Sequence, residues 1–534
     1  MTKPLSPGEK AAKVAPRTPS QREIRDSHLE LPGPLELPAV TEYVETGESE
    51  TRGHPFIEVF GRAIVEAPLF QDRTATALPP CPPGGTNLLH NPVLMALRLF
   101  ALSRVVYPTP NLTRLNYKVL EALSTGYLLR NPLVEREYQR TVYTVASRKP
   151  AEVKKYVMKL PNIGVPSFLV QGASGMGKSY GLEHVLIELG VPQAVQHKEY
   201  QGRPFNYVQV IWLDCQCPPT GSLRGLLFEI LARLDMAAGT NYYVPWFNSR
   251  ANTDLLLLNV ALILYKHSVG LLVLDELQHL LANSSKDTEE LLNFFVALMN
   301  FLRIPIASVG TYAALDVLSG TIRDARRLTL AGSIEFKRHE KAQRITRRQQ
   351  EWYLGWLPGL DKHPITEAMH DHVYDIYQGF QFLMPNLVQR CCVEASFRGV
   401  DHITPEILDH YLHVELKPLS KILIALRDCD VKVIEQYEDA ISPEKIKALK
   451  QYQSRRDKAR NETTVSDTVT GGSSRAKGGL VVNSDFPDGD IGDEEILLQC
   501  AATKELFGRG DLYVNLSRAG LIAKEIAYGR LPNP

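Results

Sequence analysis

The chain of 534 residues is long enough for two to four folded units of about 150 residues, and its 44% hydrophobic content is sufficient for sizeable cores. Lys plus Arg equals Asp plus Glu at 60 each, so net charge predicts no polyanionic partner, and only a local patch can bind one. The N-terminal residues lack the apolar core of a signal peptide, and the longest apolar stretch, LLLLNVALILY (255–265), is too short to span a bilayer. We expect that stretch to be a buried helix and the protein to have no membrane partner.

The cysteines argue against a structural metal site. The seven residues form no C-x-x-C pair; they are Cys81, Cys215, Cys217, Cys391, Cys392, Cys429 and Cys500. Cys215 and Cys217 form a lone C-x-C with no matching His or Cys ligands downstream. We therefore expect reduced thiols and a cytoplasmic protein.

The N-terminal part of the chain divides into two segments. Residues 1–53 are rich in proline and charge and contain one aromatic residue, Tyr43, so they are predicted to be disordered. From residue 54 to 150, apolar clusters such as HPFIEVF and NPVLMALRLFALSRVV predict a helical N-terminal region.

Residues 151–336 alternate between short apolar runs and helical patterns. The predicted strands are SFLVQ (167–171), YVQVIWLD (207–214), VGLLVLD (269–275), IPIASVG (304–310) and LAGSIEF (330–336). The helical patterns between them cover 179–189, 222–235, 253–266 and 288–302. Nearly continuous apolar strands separated by helices predict an α/β fold with a five-stranded parallel sheet covered on both faces.

The loop after the first predicted strand reads GASGMGKSYG (172–181) and matches the phosphate-binding pattern G-x-x-x-x-G-K-[ST]. Backbone N–H groups of such a loop surround the β-phosphate, Lys178 reaches the β- and γ-oxygens, and the Ser179 hydroxyl is a ligand of Mg²⁺. The predicted ATP-binding residues are Gly172, Ala173, Ser174, Gly175, Met176, Gly177, Lys178, Ser179 and Tyr180. The chain is thus predicted to bind ATP and Mg²⁺.

Two carboxylates end the third predicted strand, LLVLDEL. Asp275 lies at the carboxyl edge of the sheet, where it suits a group that orients Mg²⁺, so Ser179 and Asp275 are the predicted metal residues. Glu276 follows it and suits the general base that polarises the attacking water. This pair favours a hydrolase over a small-molecule kinase, in which a base for water would waste ATP.

Thr311 follows the next strand, IPIASVG. If that strand adjoins the Asp275 strand, Thr311 lies beside the γ-phosphate and suits a sensor residue. The same threonine also suits the N-cap of a helix at 312–318, and the two roles are compatible.

A basic segment, TIRDARRLT, precedes the fifth strand and contains Arg323, Arg326 and Arg327. An arginine supplied across a subunit interface stabilises charge on the γ-phosphate in the transition state, and Arg326 or Arg327 suits this role. The alternative is a solvated basic run, which extends to Arg348.

Helical patterns replace strands beyond residue 350. We expect a helical lid and extension at 337–453, with helices at TEAMHDHVYDIYQ, PNLVQRCCVEASF and TPEILDHYLHVEL, the last with Thr404 as N-cap and Pro405 after it. Residues 454–492 are polar and rich in Gly, Ser and Thr and predict a flexible linker, and 493–534 predict a C-terminal docking tail. No internal repeat is visible.

The phosphate loop, LLVLDE, the polar residue after the next strand and the paired arginines are together typical of an AAA+ ATPase. More closely, the chain resembles the TnsC-like ATPase regulators of Tn7-type transposons over roughly residues 54–420. The segments that carry this resemblance are HPFIEVF, YLLRNP, LDCQCPPTGSLRGLLFEIL, GTNYY, LLVLDELQHL, EELLNFFVALMN, IPIASVGT and RDARR.

This resemblance implies an ATPase that assembles with itself, as a ring or filament, on double-stranded DNA without regard to sequence. It implies two protein partners, the transposase and a target-selection protein of the TnsD or TniQ kind. It also implies phosphate and Mg²⁺ roles for Lys178 and Ser179, hydrolytic roles for Asp275 and Glu276, and a sensor role for Thr311.

Two further family features map onto this chain. DNA contacts of the family fall in segments that correspond here to HKEYQGR (197–203) and PPTGS (218–222), so Lys198, Arg203 and Thr220 are candidates, although each also suits an exposed loop. AAA+ lids commonly contribute a sensor-2 arginine, but Asn386 lies near that place and Arg390 a turn later. The pattern does not support a sensor-2 role.

Two alternatives remain at this point. A DNA-loading ATPase of the replication-initiator kind shares the core but normally ends in a helix-turn-helix, and residues 421–534 show no clear pattern of that kind. A STAND-type signalling ATPase normally carries a long repeat array after the lid, which this sequence lacks.

Overall fold

The computed structural model describes the chain in the ranges 37–40, 42–66, 91–100, 102, 106–107, 109–128, 130–134, 164–248, 252–281, 285–300, 302–312, 328–357, 363–437 and 445–451. Predictions for 1–36, for the linker 454–492 and for the tail 493–534 lie outside these ranges.

A parallel five-stranded sheet forms the centre of the molecule. The strands of the described chain are β1 (Phe168–Gly172), β2 (Ala194–Tyr200), β3 (Arg203–Val210), β4 (Trp212–Gln216), β5 (Leu271–Asp275), β6 (Ile306–Gly310) and β7 (Ser333–Phe336). The sheet order is β4-β5-β6-β1-β7, and every neighbouring pair is parallel. All residues of β5 and β6 are buried, as expected for central strands covered on both faces. The predicted α/β architecture is confirmed.

The predicted single strand at 207–214 is wrong in detail, because it is two strands in two sheets. Residues up to Val210 belong to β3, which pairs antiparallel with β2 in a separate two-stranded sheet, whereas β4 begins at Trp212 and joins the main sheet. Ile211 alone separates them, so no turn residue marks the change. The strand β2, at 194–200, was not predicted.

Helices surround the main sheet and form the C-terminal part. In chain order they are α1 (Pro55–Glu58), α2 (Gly61–Glu66), α3 (Pro92–Leu99), α4 (Pro110–Leu128), α5 (Lys178–Glu188), α6 (Leu223–Ala238), α7 (Tyr243–Phe247), α8 (Thr253–Lys266), α9 (Gln278–Leu281), α10 (Ser285–Asn300), α11 (Arg344–Leu354), α12 (Glu367–Tyr377), α13 (Leu383–Arg398), α14 (Pro405–His410), α15 (Lys417–Asp428) and α16 (Val431–Ile434), with a π-helical turn at Tyr411–Glu415. The side chains of Ser222, Asn252 and Thr366 cap the starts of α6, α8 and α12 by accepting a first-turn backbone N–H.

The helix α4 packs directly on the sheet rather than in a separate region. Tyr127 donates its hydroxyl to the Ser268 carbonyl at 2.7 Å, and the buried Arg130 donates to the Val269 carbonyl at 2.7 Å. Asn111, at the other end of α4, donates to the carbonyl of Glu335 on β7 at 2.9 Å. The helix predicted in the N-terminal region is therefore part of the α/β core.

The described part of the N-terminal segment is ordered, in contrast to the predicted disorder of residues 1–53. Val40 donates its N–H to the Gln196 carbonyl at 3.0 Å, and the Tyr43 hydroxyl lies 2.8 Å from Nδ1 of His197. The ring of Tyr43 also packs edge-on against Tyr200. A backbone hydrogen bond to β2 and the packing of the Tyr43 ring hold this segment. Neither contact can be predicted from its composition.

The helices α11 to α16, which we call the lid, pack against one another and against α3. Arg347 of α11 makes a two-bond ion pair with Glu367 at the start of α12, and Gln389 of α13 donates to the Ala96 carbonyl of α3 at 3.1 Å. The helix predicted at 404–416 is present, with Pro405 in its first turn and a change to π-helical hydrogen bonding at Tyr411. Thr404 holds the N-cap position but its side chain makes no cap hydrogen bond in the structure.

The apolar stretch at 255–265 lies within α8 and is mostly buried, as predicted. Among the described residues, no helix is long and apolar enough to cross a membrane. Cys215, Cys217, Cys391 and Cys392 are buried free thiols. Burial raises the pKa of the Cys215 and Cys391 thiols well above their ordinary value, which disfavours the thiolate that metals bind.

Candidate nucleotide site

The phosphate loop lies between β1 and α5, as the sequence predicts. β1 ends at Gly172, and α5 begins at Lys178 directly after Gly177, so backbone N–H groups of the first turn face the loop. The Lys178 side chain is buried, and its Nζ donates to the carbonyls of Gly172 at 2.9 Å and Ala173 at 2.8 Å. These contacts hold an ammonium group within the loop, where a phosphate would bind.

The lid reaches this loop through the segment before α13. The backbone N–H of Phe382 donates to the Gly175 carbonyl at 3.4 Å, and a Cβ placed on Gly175 would lie 2.5 Å from the Phe382 ring. Glycine is required at this position because its φ is +75° and because the ring leaves no space for a side chain. No local pattern predicts this contact, since Phe382 follows an ordinary turn.

The lid residues considered for a sensor-2 role lie on α13. Asn386 uses its amide to donate to the Phe382 carbonyl at 3.0 Å within its own helix. Arg390, one turn later, is exposed.

The carboxyl ends of β1, β4, β5 and β6 meet at one edge of the sheet. Gln216 of β4 is in register with Asp275 of β5, and Gln171 of β1 is in register with Gly310 of β6. A cavity of about 80 Å³ at this edge is lined by Ser179, Asp214 and Asp275, among other residues. The predicted metal residues, Ser179 and Asp275, therefore line one cavity, although they are almost a hundred positions apart.

Asp214, on β4, is a site residue that sequence reasoning missed. It is half-buried in the same cavity, and burial, followed by the neighbouring charge of Asp275, raises the pKa of its carboxyl group. Two carboxylates and one hydroxyl are oxygen ligands of the kind that Mg²⁺ prefers. The residues present thus fit a magnesium ion.

A hydrogen-bonded chain joins the predicted base to the predicted sensor. Gln278 donates its amide N–H to Oε2 of Glu276, and its amide oxygen accepts the backbone N–H of Thr311 at 3.2 Å. Glu276 has a φ of +57°, an uncommon conformation for a residue with a side chain, and its N–H donates to Oδ1 of Asp275 at 2.8 Å. Gln278 was not predicted, and it fixes the position of the Glu276 carboxylate relative to β6.

Thr311 lies where the sensor prediction requires, because β6 is the direct neighbour of β5. The residue is buried, and within the described part of the chain its Oγ1 has no hydrogen-bond partner. A buried hydroxyl at this edge is available to a phosphate oxygen or to water. The alternative cap role concerns residues from 313 onward, which lie outside the described ranges, as do Arg323, Arg326 and Arg327.

The candidate DNA residues lie at two exposed places. Lys198 and Arg203 flank the tip of the β2–β3 hairpin, whose turn residues Gln201 and Gly202 both have positive φ, as in a type I′ turn. The register shifts between His197 and Glu199, so Lys198 occupies a bulge and is exposed. Thr220 is exposed in the loop between β4 and α6. The segment 197–203 is therefore a hairpin tip rather than an open loop, and its first residue, His197, is buried.

Replacing Gln278 by Ala is expected to lower ATP turnover about 10- to 100-fold with little change in KM, because a hydrogen bond to a charged group contributes about 1.5–3 kcal/mol. Gln278→Glu should be more severe, since a second carboxylate would face and repel that of Glu276. Gln436→Ala, which removes an exposed glutamine of the lid, is the matched control. Unchanged kinetics in both Gln278 variants would contradict the positioning role.

Comparison with known proteins was made by family and by structure. The family model of the bacterial TniB protein matches residues 136–338, which contain the phosphate loop, Asp275, Glu276 and Thr311. This match agrees with the resemblance to the TnsC-like transposition regulators over the matched segment. No curated protein matches the chain.

Several solved structures are similar to this chain. The Walker-type ATPase PABY2304 of Pyrococcus abyssi is 15% identical, with 59% of this chain and 87% of that chain covered and a TM-score of 0.33. Cdc6p of Pyrobaculum aerophilum is 14% identical, with 61% and 87% covered and a TM-score of 0.33. The RuvB Holliday junction branch migration motor of Thermotoga maritima is 14% identical, with 56% and 76% covered and a TM-score of 0.29. At these values no function is inferred from them.

Proposed function

We propose that this chain, whose residues 136–338 match the TniB family model, is an ATP-dependent, DNA-binding regulator of transposition that uses ATP hydrolysis as a switch. The observation that supports this proposal best is the group of side chains at the carboxyl edge of the sheet, within the matched segment. There the phosphate loop, two carboxylates, a positioned glutamate and a buried threonine hydroxyl converge on one side of the sheet.

Each group at this edge has a distinct role in the proposal. Lys178 and the loop N–H groups bind the phosphates, and Glu276, held by Gln278, accepts a proton from the attacking water. Thr311 contacts the γ-phosphate or the water. Ser179, Asp214 and Asp275 would hold Mg²⁺, which neutralises developing charge on the phosphate oxygens when it is bound.

We further propose that the active form is an assembly of copies on duplex DNA. Arg326 or Arg327 of one copy would complete the site of its neighbour. In this arrangement the ATP state controls the assembly, which links a target-selection protein to the transposase.

The hairpin tip is the surface that we propose for DNA. Lys198 and Arg203 flank a turn whose base is held by buried contacts. Nε2 of His197 forms a hydrogen bond of 2.9 Å with the side-chain oxygen of Gln209, and the His197 ring packs against Phe205. A tip fixed in this way presents its two cations at one place in every copy. Such contacts go to phosphates, which carry no sequence information directly.

Binding of duplex DNA is expected to require ATP, to be independent of sequence and to weaken steeply with salt, as counterion release requires. Replacing Lys198 and Arg203 together by Ala should weaken binding about equally on unrelated duplexes. It should also reduce the slope of log K against log salt by about 0.9 for each phosphate that the variant no longer neutralises. Fluorescence anisotropy over a salt series, with ATP or without nucleotide, measures both effects.

The matched control replaces Lys417 and Lys432, two exposed lysines of the lid, by Ala, which removes the same charge from another surface. An equal decrease in affinity in both double variants would indicate a general charge effect and contradict the hairpin assignment. A strong preference for one sequence would instead favour the replication-initiator alternative, and ATP-driven assembly that ignores DNA would favour a STAND-type ATPase.

A further inference from the structure

A cluster of two histidines and one aspartate lies on the lid, away from the nucleotide site. His363 precedes α12, whereas Asp401 and His402 form the bend between α13 and α14. Their candidate ligand atoms all lie within 4.8 Å of one another. Two separate segments of the lid therefore bring three metal-ligand side chains together.

The spacing of these atoms is suitable for one small metal ion. Oδ1 of Asp401 lies 3.0 Å from Nδ1 of His402 and 3.6 Å from Nε2 of His363. Around a tetrahedral zinc ion, with bonds of about 2.0–2.2 Å, neighbouring ligand atoms are separated by about 3.4 Å. The two measured distances lie on either side of that value, and the two histidine nitrogens lie within 4.8 Å of each other.

The rings and their exposure also suit a metal. The imidazole rings of His363 and His402 stack with centroids 3.8 Å apart, which brings the two possible nitrogen ligands together. The side chains are exposed by 43% for His363, 42% for Asp401 and 31% for His402. This leaves a path for an ion and room for water as its fourth ligand.

We propose that His363, Asp401 and His402 bind one divalent transition-metal ion, of the class to which Zn²⁺ belongs, and that this ion ties the start of α12 to the bend between α13 and α14. The donor set of two imidazoles and one carboxylate is typical of such ions, whereas Mg²⁺ and Ca²⁺ prefer oxygen ligands alone. The ion stabilises the helical lid, whose segment before α13 contacts the phosphate loop.

The test is a titration of the full chain with zinc chloride in the absence of nucleotide. The protein carries no polyhistidine tag and is first treated with a chelator. Calorimetry should detect one equivalent of Zn²⁺ whose binding is abolished, or weakened at least about tenfold, in His402→Ala and in Asp401→Asn, because changes to the surroundings of a metal already cost 10- to 100-fold. Co²⁺ in place of Zn²⁺ should give visible absorption bands in the wild type that both variants lack.

His372→Ala is the matched control. It removes a lid histidine that also pairs with a carboxylate, Asp409, at 2.9 Å but lies outside the cluster, so it should keep the site. Circular dichroism and the melting temperature without metal show whether each variant is folded, and Zn²⁺ should raise the melting temperature of wild type and His372→Ala only. No stoichiometric binding, or equal binding in wild type and folded His402→Ala, would overturn the proposal.

Discussion

Replacing Glu276 by Gln is expected to lower ATP hydrolysis about 10²- to 10⁴-fold while ATP binding is retained, because positioned general acid–base groups contribute about that factor. The substitution conserves shape. The oxygen of the new amide can still accept from Gln278, so the link to Thr311 at the end of β6 is preserved and only the basicity of the group is removed. The phosphate loop is untouched, since Lys178 bonds to the loop itself.

Phosphate release and ATP binding, measured on the same preparation, separate the two effects. The variant should also accumulate ATP-bound assemblies on DNA, because the step that releases them is blocked. The matched control is Glu394→Gln, which makes the same chemical change in the lid, where Glu394 pairs with Arg398 at 2.7 Å. Its turnover should equal that of the wild type, since partly exposed ion pairs contribute little. Full turnover in Glu276→Gln would remove Glu276 from the mechanism.

Replacing Lys178 by Ala is expected to weaken ATP binding itself, by about 10- to 100-fold, because charged hydrogen bonds to phosphate contribute about 1.5–3 kcal/mol and 1.4 kcal/mol is a factor of ten. ATP should raise the melting temperature of the wild type, as any ligand of the folded state does, and the variant should need about 10- to 100-fold more ATP for the same rise. Lys421→Ala, an exposed lysine of the lid, is the control and should respond to ATP as the wild type does.

A loss of folding stability would also decrease the affinity of this variant for ATP. The melting temperature without nucleotide tests that explanation. Lys178 is buried and donates to two loop carbonyls, so its removal leaves those carbonyls without that donor. A moderate decrease in stability is therefore compatible with the proposed role, provided that the variant still unfolds cooperatively. A folded Lys178→Ala that binds ATP as tightly as the wild type would contradict the phosphate role.

The sequence by itself determined the features that depend on consecutive residues. The phosphate loop, the Asp275–Glu276 pair and the helix at 253–266 each follow from a local pattern, and the structure has them at those positions. Local spacing is sufficient in these cases because a loop, a strand end and an apolar helix are each defined within a few turns of chain. Four of the five strands of the main sheet were predictable for the same reason, since buried parallel strands are short, continuous apolar runs, whereas β4 was merged with β3.

Only the tertiary structure decided which distant residues share a site. Asp214 lies between the apolar Leu213 and Cys215 in β4, and it becomes part of the magnesium cavity only because β4 lies next to β5. Gln278 and Phe382 occur in ordinary contexts, and their roles arise from contacts with Thr311 and Gly175. Similarly, His363 meets Asp401 and His402 only because the lid helices fold back on themselves. Side-chain contacts between separated segments depend on strand order and helix packing, and no local pattern in a single sequence encodes them.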